Sequence, residues 1–170
     1  MNSRQRLQDR YLMHLRPGQV TWIGLRPGHK QAMLAVDSAV ALQDLGLEGD
    51  HRCNKTAGSS RQVTIISAEY IRQIEYFCDR QSLDPELLRR NLVVRGINLG
   101  ALRHQRLSVG DAVLETTSLC HPCSRMETAL GPGGFAAMLG HGGLCAKILQ
   151  GGRIAVGDTV RRLAPQGELF

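Results

Sequence analysis

The residues with the most chemical capacity stand together in Cys120-His121-Pro122-Cys123, two thiols and an imidazole within four positions. Cys-x-x-Cys spacing serves three chemistries. As half of a zinc site it has the right separation, but a closed tetrahedral site needs two more ligands, and Cys53, Cys145, His51 and His141 are scattered rather than paired. As a redox pair it normally opens a helix in a βαβ unit, where the helix end lowers a thiol pKa. Here it follows a candidate strand, with no βαβ rhythm around it. As a single soft ligand, one thiolate suits a redox metal, with Arg125 and His121 favouring the ionised sulfur. The bland alternative is two small buried side chains flanking a proline turn.

Three further polar clusters sit beside candidate strands. Gly46-Leu47-Glu48-Gly49-Asp50-His51-Arg52 is a glycine-framed loop. Gly58-Ser59-Ser60-Arg61-Gln62 is a run of donors before an aliphatic stretch, and Arg89-Arg90-Asn91 precedes another. Hydroxyl, guanidinium and amide donors at strand edges suit a phosphate or a heterocycle with many acceptors. Each cluster alone also reads as a solvated turn. Loops at one end of a barrel would bring them to the cysteines. The glycine-rich stretch Gly131-Pro132-Gly133-Gly134 to Gly140-His141-Gly142-Gly143 matches neither a phosphate-binding GKS/GKT loop nor a dinucleotide GxGxxG. It reads as close backbone approach or a flap, in which His141 is the only side chain with acid–base or ligand capacity.

The elements that must position these residues are short. Val20 to Leu25, Val63 to Ile66, Leu92 to Arg95, Ala112 to Thr117 and Val160 to Leu163 read as strands bounded by Gly, Asp or Pro. A helix is expected from Ser67 to Arg80, capped by Ser67, with Tyr70, Ile71, Ile74, Phe77 and Cys78 on one core-facing side. A second opens at Asp84-Pro85 and closes near Arg89-Arg90, and a third covers Phe135 to Leu139. Arg106-Leu107-Ser108-Val109-Gly110-Asp111-Ala112-Val113 repeats as Arg153-Ile154-Ala155-Val156-Gly157-Asp158-Thr159-Val160. Gly-Asp between β-type segments is a turn device, so the repeat predicts two similar strand–turn–strand corners. The pattern predicts a mainly β fold, a barrel or sandwich, with a few peripheral helices.

At 170 residues, 42% hydrophobic and 21% charged, the chain has the composition of one globular domain. Apolar runs of about five residues exclude a membrane-spanning helix, which needs ~20. The charged N-terminus does not read as a secretory signal, and five irregularly spaced cysteines argue for reduced thiols. A cytoplasmic protein is expected. The net charge of +6 rests on 21 basic residues, of which only Lys30, Lys55 and Lys147 are lysine. That arginine excess suits an anionic ligand, or reflects a GC-rich genome. One Trp, three Tyr and three Phe argue against a base-stacking nucleic-acid module.

In order along the chain, Trp22-Ile23-Gly24-Leu25-Arg26-Pro27, Gly46 to His51, Arg61-Gln62-Val63-Thr64-Ile65-Ile66, Arg89 to Gly96, Cys120-His121-Pro122-Cys123 and Val156-Gly157-Asp158 resemble the MOSC domain, the C-terminal domain of molybdenum-cofactor sulfurases. The resemblance runs from about 20 to 163 and leaves an N-terminal extension, 1–19, of one domain, 1–170. It implies a strand-rich barrel that binds the molybdenum cofactor, a pyranopterin dithiolene carrying a phosphate. Cys123 would be the sulfur bound to molybdenum, and Cys120 and Cys123 the catalytic thiols. Arg89 and Asn91 match the family pair that contacts the pterin or its phosphate. Ser60 and Arg61 fall where relatives place donors, His121 lies beside the thiolate, and Asp50, His51 and Arg26 match more loosely. His141 completes the set.

The resemblance leaves open two activities. One is reduction of N-hydroxylated small molecules, with electrons from a flavin or iron–sulfur protein. The other is sulfur transfer through a cysteine persulfide. A zinc-stabilised anion- or nucleic-acid-binding barrel is the rival from another class. These 170 residues are expected to carry neither the extra β-barrel region nor the pyridoxal-phosphate domain of some relatives, and a homodimer is compatible with them.

Overall fold

Short runs of aliphatic residues, punctuated by glycine, build most of the architecture. The computed structural model describes residues 3–165. The elements are α1 (Ser3–Leu12), β1 (Gly18–Leu25), β2 (Leu34–Val36), β3 (Ser38–Leu42), β4 (Gly46–Leu47), β5 (Val63–Ser67), α2 (Ala68–Phe77), α3 (Pro85–Leu88), β6 (Leu92–Arg95), β7 (Arg106–Val109), β8 (Ala112–Leu119), α4 (Ser124–Leu130), α5 (Gly134–Met138), β9 (Leu144–Gln150), β10 (Gly152–Ala155) and β11 (Thr159–Arg162). Tight 3-10 turns cover His51–Asn54 and Leu99–Leu102.

Seven strands close a ring in the order β11-β7-β8-β9-β5-β6-β1, and β1 returns to β11 with Gly18 opposite Val160. Closure leaves the ring without an open edge. β2 extends the ring beside β1, while β10, β3 and β4 form a small second sheet. Every neighbouring pair in the ring is antiparallel except β5 and β6, which run parallel with Ile65 opposite Leu92. A parallel pair needs a crossover. α2 supplies it, opened by Ser67, whose Oγ accepts from Tyr70 N at 3.0 Å.

All five residues of β5 are buried because both faces of the strand are covered. Ile65 joins Ile23, Leu92, Leu114 and Ile148 inside the barrel. Its neighbour Ile66 points the other way and packs with Ile71, Ile74, Leu88, Met126 and Met138 in a helical layer outside. Burying each such side chain stabilises by about 1.5–3 kcal/mol, so the layer anchors α2 to α5 against the barrel wall.

The expected mainly β barrel with helices is the observed one. Strand and helix positions match closely at β1, β5, β6, β8, α2, α3 and α5. Phe77 is a correction: it ends α2 on the exposed side, not in the core. Both copies of the repeat are the expected strand–turn–strand corners, but they pair differently: β7 and β8 form a hairpin, whereas β10 pairs with β3 and β11 with β7. The two copies meet, with Val160 opposite Val109 and Asp111 N donating to Arg153 O at 3.0 Å. At Gly110 (φ 55°) a Cβ would stand 2.3 Å from Asp158 Oδ2, which explains the glycine in that copy. α1, in the N-terminal extension, is tied to the barrel by Asp9 and Arg162 at 2.7 Å. No helix among the described residues is long and apolar enough to cross a membrane.

Candidate functional site

Five neighbouring strands, β8, β9, β5, β6 and β1, carry a row of polar residues across one part of the barrel. Arg26 follows β1, Asn91 precedes β6, Thr64 lies in β5, Cys145 in β9 and Thr117 in β8. Asp50, delivered by the turn after β4, is the acceptor at its centre. Its Oδ2 accepts from Arg26 N at 2.9 Å, Arg26 Nε at 3.0 Å and Asn91 Nδ2 at 2.9 Å. Its Oδ1 accepts from Arg26 NH2 and Arg52 N. Burial by itself raises the Asp50 carboxyl, but the Arg26 hydrogen bonds and charge outweigh it and hold the group below the usual carboxylate value.

Asn91 completes this floor. Its Oδ1 accepts from Thr64 N and Oγ1, both at 3.1 Å, and its Nδ2 also donates to Gly24 O at 3.0 Å. With 1% of its surface exposed, the amide has no free face for a ligand. It positions Asp50 and, through it, Arg26.

Above the floor opens a hollow of about 550 Å3, lined by Arg26, His51, Arg52, Lys55, Arg61 and Thr64, with Thr56 and Ser59. Four cations, Arg26, Arg52, Lys55 and Arg61, share this wall with no carboxylate in it, and Asp50 in the floor is already paired with Arg26. Arg52 is buried, and its Nε and NH2 donate to Arg61 O and Thr56 O, yet NH1 is buried without any hydrogen-bond partner. An orphan guanidinium N–H is costly, which marks this corner as incomplete without an acceptor. Burial, and then the Arg26 charge, holds His51 below the usual histidine value.

Arg61, in the wall of the hollow, also meets a buried thiol pair, Cys120 and Cys145. Cys120 donates a hydrogen bond to Cys145, which brings the Cys145 thiol down to about 6 against its burial, with help from Arg61 and Ser118. The same hydrogen bond, together with burial, pushes the Cys120 thiol far up. The Cys145 charge in turn holds Arg61 above its ordinary value.

Cys123 is different in every respect, an exposed thiol at the residue before α4. Arg90, buried beside the floor, clamps the segment that carries it: Nε donates to Gly142 O at 2.8 Å, NH1 to Leu88 O and NH2 to Cys120 O at 3.1 Å. Gly142 fits there because a Cβ would stand 2.0 Å from Cys120 O. Arg89 sits next to Arg90 in the left-handed region (φ 56°, ψ 34°), ending α3. That turn throws its guanidinium outward to the β1–β2 loop, where NH1 donates to Gln31 O at 2.6 Å. Its electrostatic neighbours include Arg26, Arg125, Asp50 and Cys123.

The structure thus brings Arg26, His51 and Arg61 to one hollow above Asp50 and Asn91, while Arg89 lines a second hollow together with Arg125. Ser60 is not in the lining; its neighbour Ser59 is, while Ser60 O accepts from Thr117 Oγ1 at 2.7 Å. His121 is exposed and lines a narrow cleft with Pro122 and Gly140. His141 lies apart, its ring set edge-on between Tyr70 and Phe77 and its Nδ1 3.0 Å from Leu139 O. Within the glycine-rich stretch around it Gly142 and Gly143 allow close backbone approach, since at Gly143 a Cβ would stand 2.0 Å from Ile65 O, whereas Gly131, Gly133 and Gly140 face open space. Sequence reasoning gave no individual role to Arg52, Thr64 and Arg90 and weighed Cys145 only as a scattered zinc ligand. Arg52, Thr64 and Arg90 lie within segments already singled out, whereas nothing local marks Cys145 as the partner of Cys120. Among the described residues no group of three or more His, Cys, Asp or Glu side chains comes together, so a four-ligand zinc site has no ligand set. Cys-x-x-Cys does open a helix, α4, but β8 and β9 around it are antiparallel, unlike a βαβ redox unit.

Comparison with known proteins follows this geometry. The sequence profile of the MOSC domain matches residues 52–161. YuaD of Bacillus subtilis superposes with a TM-score of 0.74 at 17% identity, covering 89% of this chain and 98% of its own. YiiM of Escherichia coli (TM-score 0.64, 16% identity, 85% and 69% covered) and YiiM of Geobacillus stearothermophilus (0.68, 15%, 86% and 75%) share the fold. A search of curated protein sequences finds no match.

Proposed function

The chain belongs to the MOSC domain family, and on that premise we propose that it binds a molybdenum–pyranopterin cofactor across the basic hollow, with Cys123 as the protein's sulfur ligand, and reduces N-hydroxylated small molecules. The observation that carries the reading is a hollow whose wall holds four cations, Arg26, Arg52, Lys55 and Arg61, and no carboxylate, with Asp50 beneath it already paired with Arg26. The residues present fit the group. Its phosphate would find Arg52, whose NH1 lacks an acceptor, with Lys55, Arg61 and His51 around it. A thiolate suits a metal already held by sulfurs.

When bound, the cofactor would supply the two-electron oxygen-atom transfer chemistry. The chain's own part is placement. Asp50 and Asn91 hold Arg26 in the wall, and Arg90 fixes the segment that presents Cys123. Electrons would come from a flavin or iron–sulfur partner, and the cytoplasm, where the five free cysteines stay reduced, is the proposed location. A persulfide carrier would have to work through Cys123, because Cys120 is buried and held protonated.

The test is metal and pterin content after expression in a host supplied with molybdate and able to make the cofactor. Molybdenum and pterin in the wild type, depleted at least tenfold in Cys123→Ala, is the expected result. Zinc near one equivalent without pterin, or molybdenum undiminished in the variant, overturns the assignment; no metal at all puts the sulfur carrier ahead.

A further inference from the structure

Beside Cys123 a second hollow, of about 230 Å3, opens between α3, α4 and the loop that joins β1 to β2. Its walls are of two kinds. Met33, Leu87, Met126 and Ala129 are apolar, while Arg89 and Arg125 present two guanidiniums. Burial, then the charges of Arg26 and Arg125, holds Arg89 below its ordinary value, as expected of like charges brought together at a partly dry wall. Glu86 lies in the same wall, yet among the described residues neither arginine has a carboxylate within ion-pairing distance. Arg89 NH1 donates to Gln31 O at 2.6 Å, and Arg125 NH2 lies 3.2 Å from His29 Nε2.

Two uncompensated guanidiniums over an apolar pocket form the complement of an amphipathic anion. The position adds the chemistry. Arg125 lies two residues beyond Cys123 in the chain.

We propose that this hollow is the substrate pocket and that it selects α-(hydroxyamino) carboxylates with an apolar side chain, the carboxylate held by Arg89 and Arg125 and the side chain between Met33 and Met126. In such a molecule the N–O group is two bonds from the carboxyl carbon, so anchoring the carboxylate brings the N–O group to the Cys123 side of the pocket. Reduction breaks the N–O bond; two electrons from the flavin or iron–sulfur donor and two protons give the amine and water. The chemistry rests on the cofactor reading, but the pocket's selectivity does not, because it is built from the chain alone.

The experiment uses the full chain without cofactor, labelled at the methionine methyls, with hexanoate and hexan-1-ol as probes in NMR titrations. Hexanoate is expected to shift the Met33 and Met126 methyls and hexan-1-ol to bind at least tenfold more weakly. Arg125→Gln should weaken hexanoate at least tenfold and leave hexan-1-ol unchanged, with the fully buried Met138 methyl reporting that the fold is intact. Equal affinity for the two probes, indifference to Arg125→Gln in a folded variant, or shifts confined to other methyls overturns the proposal. Hexanoate binding that persists in a chain shown to take up no molybdenum would retain the anion pocket and remove the reductase reading, so the two fail separately.

Discussion

Arg89 and Asn91 stand two residues apart at the entrance to β6 and do opposite things. Asn91 is 1% exposed and commits its amide to Thr64, Gly24 and Asp50. Arg89, thrown outward by a left-handed turn, meets only one backbone carbonyl and faces another arginine. Floor and rim of the same site thus separate stability from recognition. The floor is satisfied within the protein; the rim carries unfulfilled capacity, as functional sites do.

Breaking the floor gives the largest expected effect. Asp50→Ala leaves Arg26 and Asn91 without their acceptor and should lower stability by about 3–5 kcal/mol, read from urea unfolding. A loss under about 1 kcal/mol would mean that the floor is not structural. Next, Arg89→Gly should divide the two roles at one position. Glycine relieves the left-handed backbone and should leave stability unchanged or raise it by about 1 kcal/mol, while hexanoate binding weakens at least tenfold. A large loss of stability there would erase the contrast.

A pH titration sharpens the floor further. Because the Asp50 pKa is lower in the folded chain than its unfolded value near 3.8, the unfolded state takes up protons first, and stability is present above that value and lost as pH falls through it. Acid unfolding of the wild type should therefore be steeper below about pH 4 than that of Asp50→Asn. The smallest effect concerns the thiol pair between floor and rim. Thiolate absorbance at 240 nm should titrate in the wild type with a midpoint of about 6, vanish from that range in Cys145→Ser and move upward in Arg61→Gln, which keeps the pair but removes the cation.

Much of this was legible in the sequence where the signal is local. Ser67 and Asp84 cap their helices as their types predict, accepting from Tyr70 N and Glu86 N. β6 begins and ends where Leu92 and Arg95 predict it. The chain between Leu144 and Gln150 did not announce β9, since its run of buried small and aliphatic residues lacks the alternation of a half-buried strand. Ser60 and Ser59 differ only in which way the turn points them. His141 carries the right chemistry, but α2 places Tyr70 and Phe77 around it.

The sequence by itself determined the strand-rich barrel, the helix caps, the arginine-rich character and the single segment that presents Cys123. Tertiary structure alone decided which of those residues are free to act. Asn91 is silenced by partners 27 and 41 residues away, and Cys120 by a thiol on the next strand. Burial and saturation of hydrogen bonds are properties of the folded neighbourhood, and in a closed barrel that neighbourhood is assembled from strands distant in the chain.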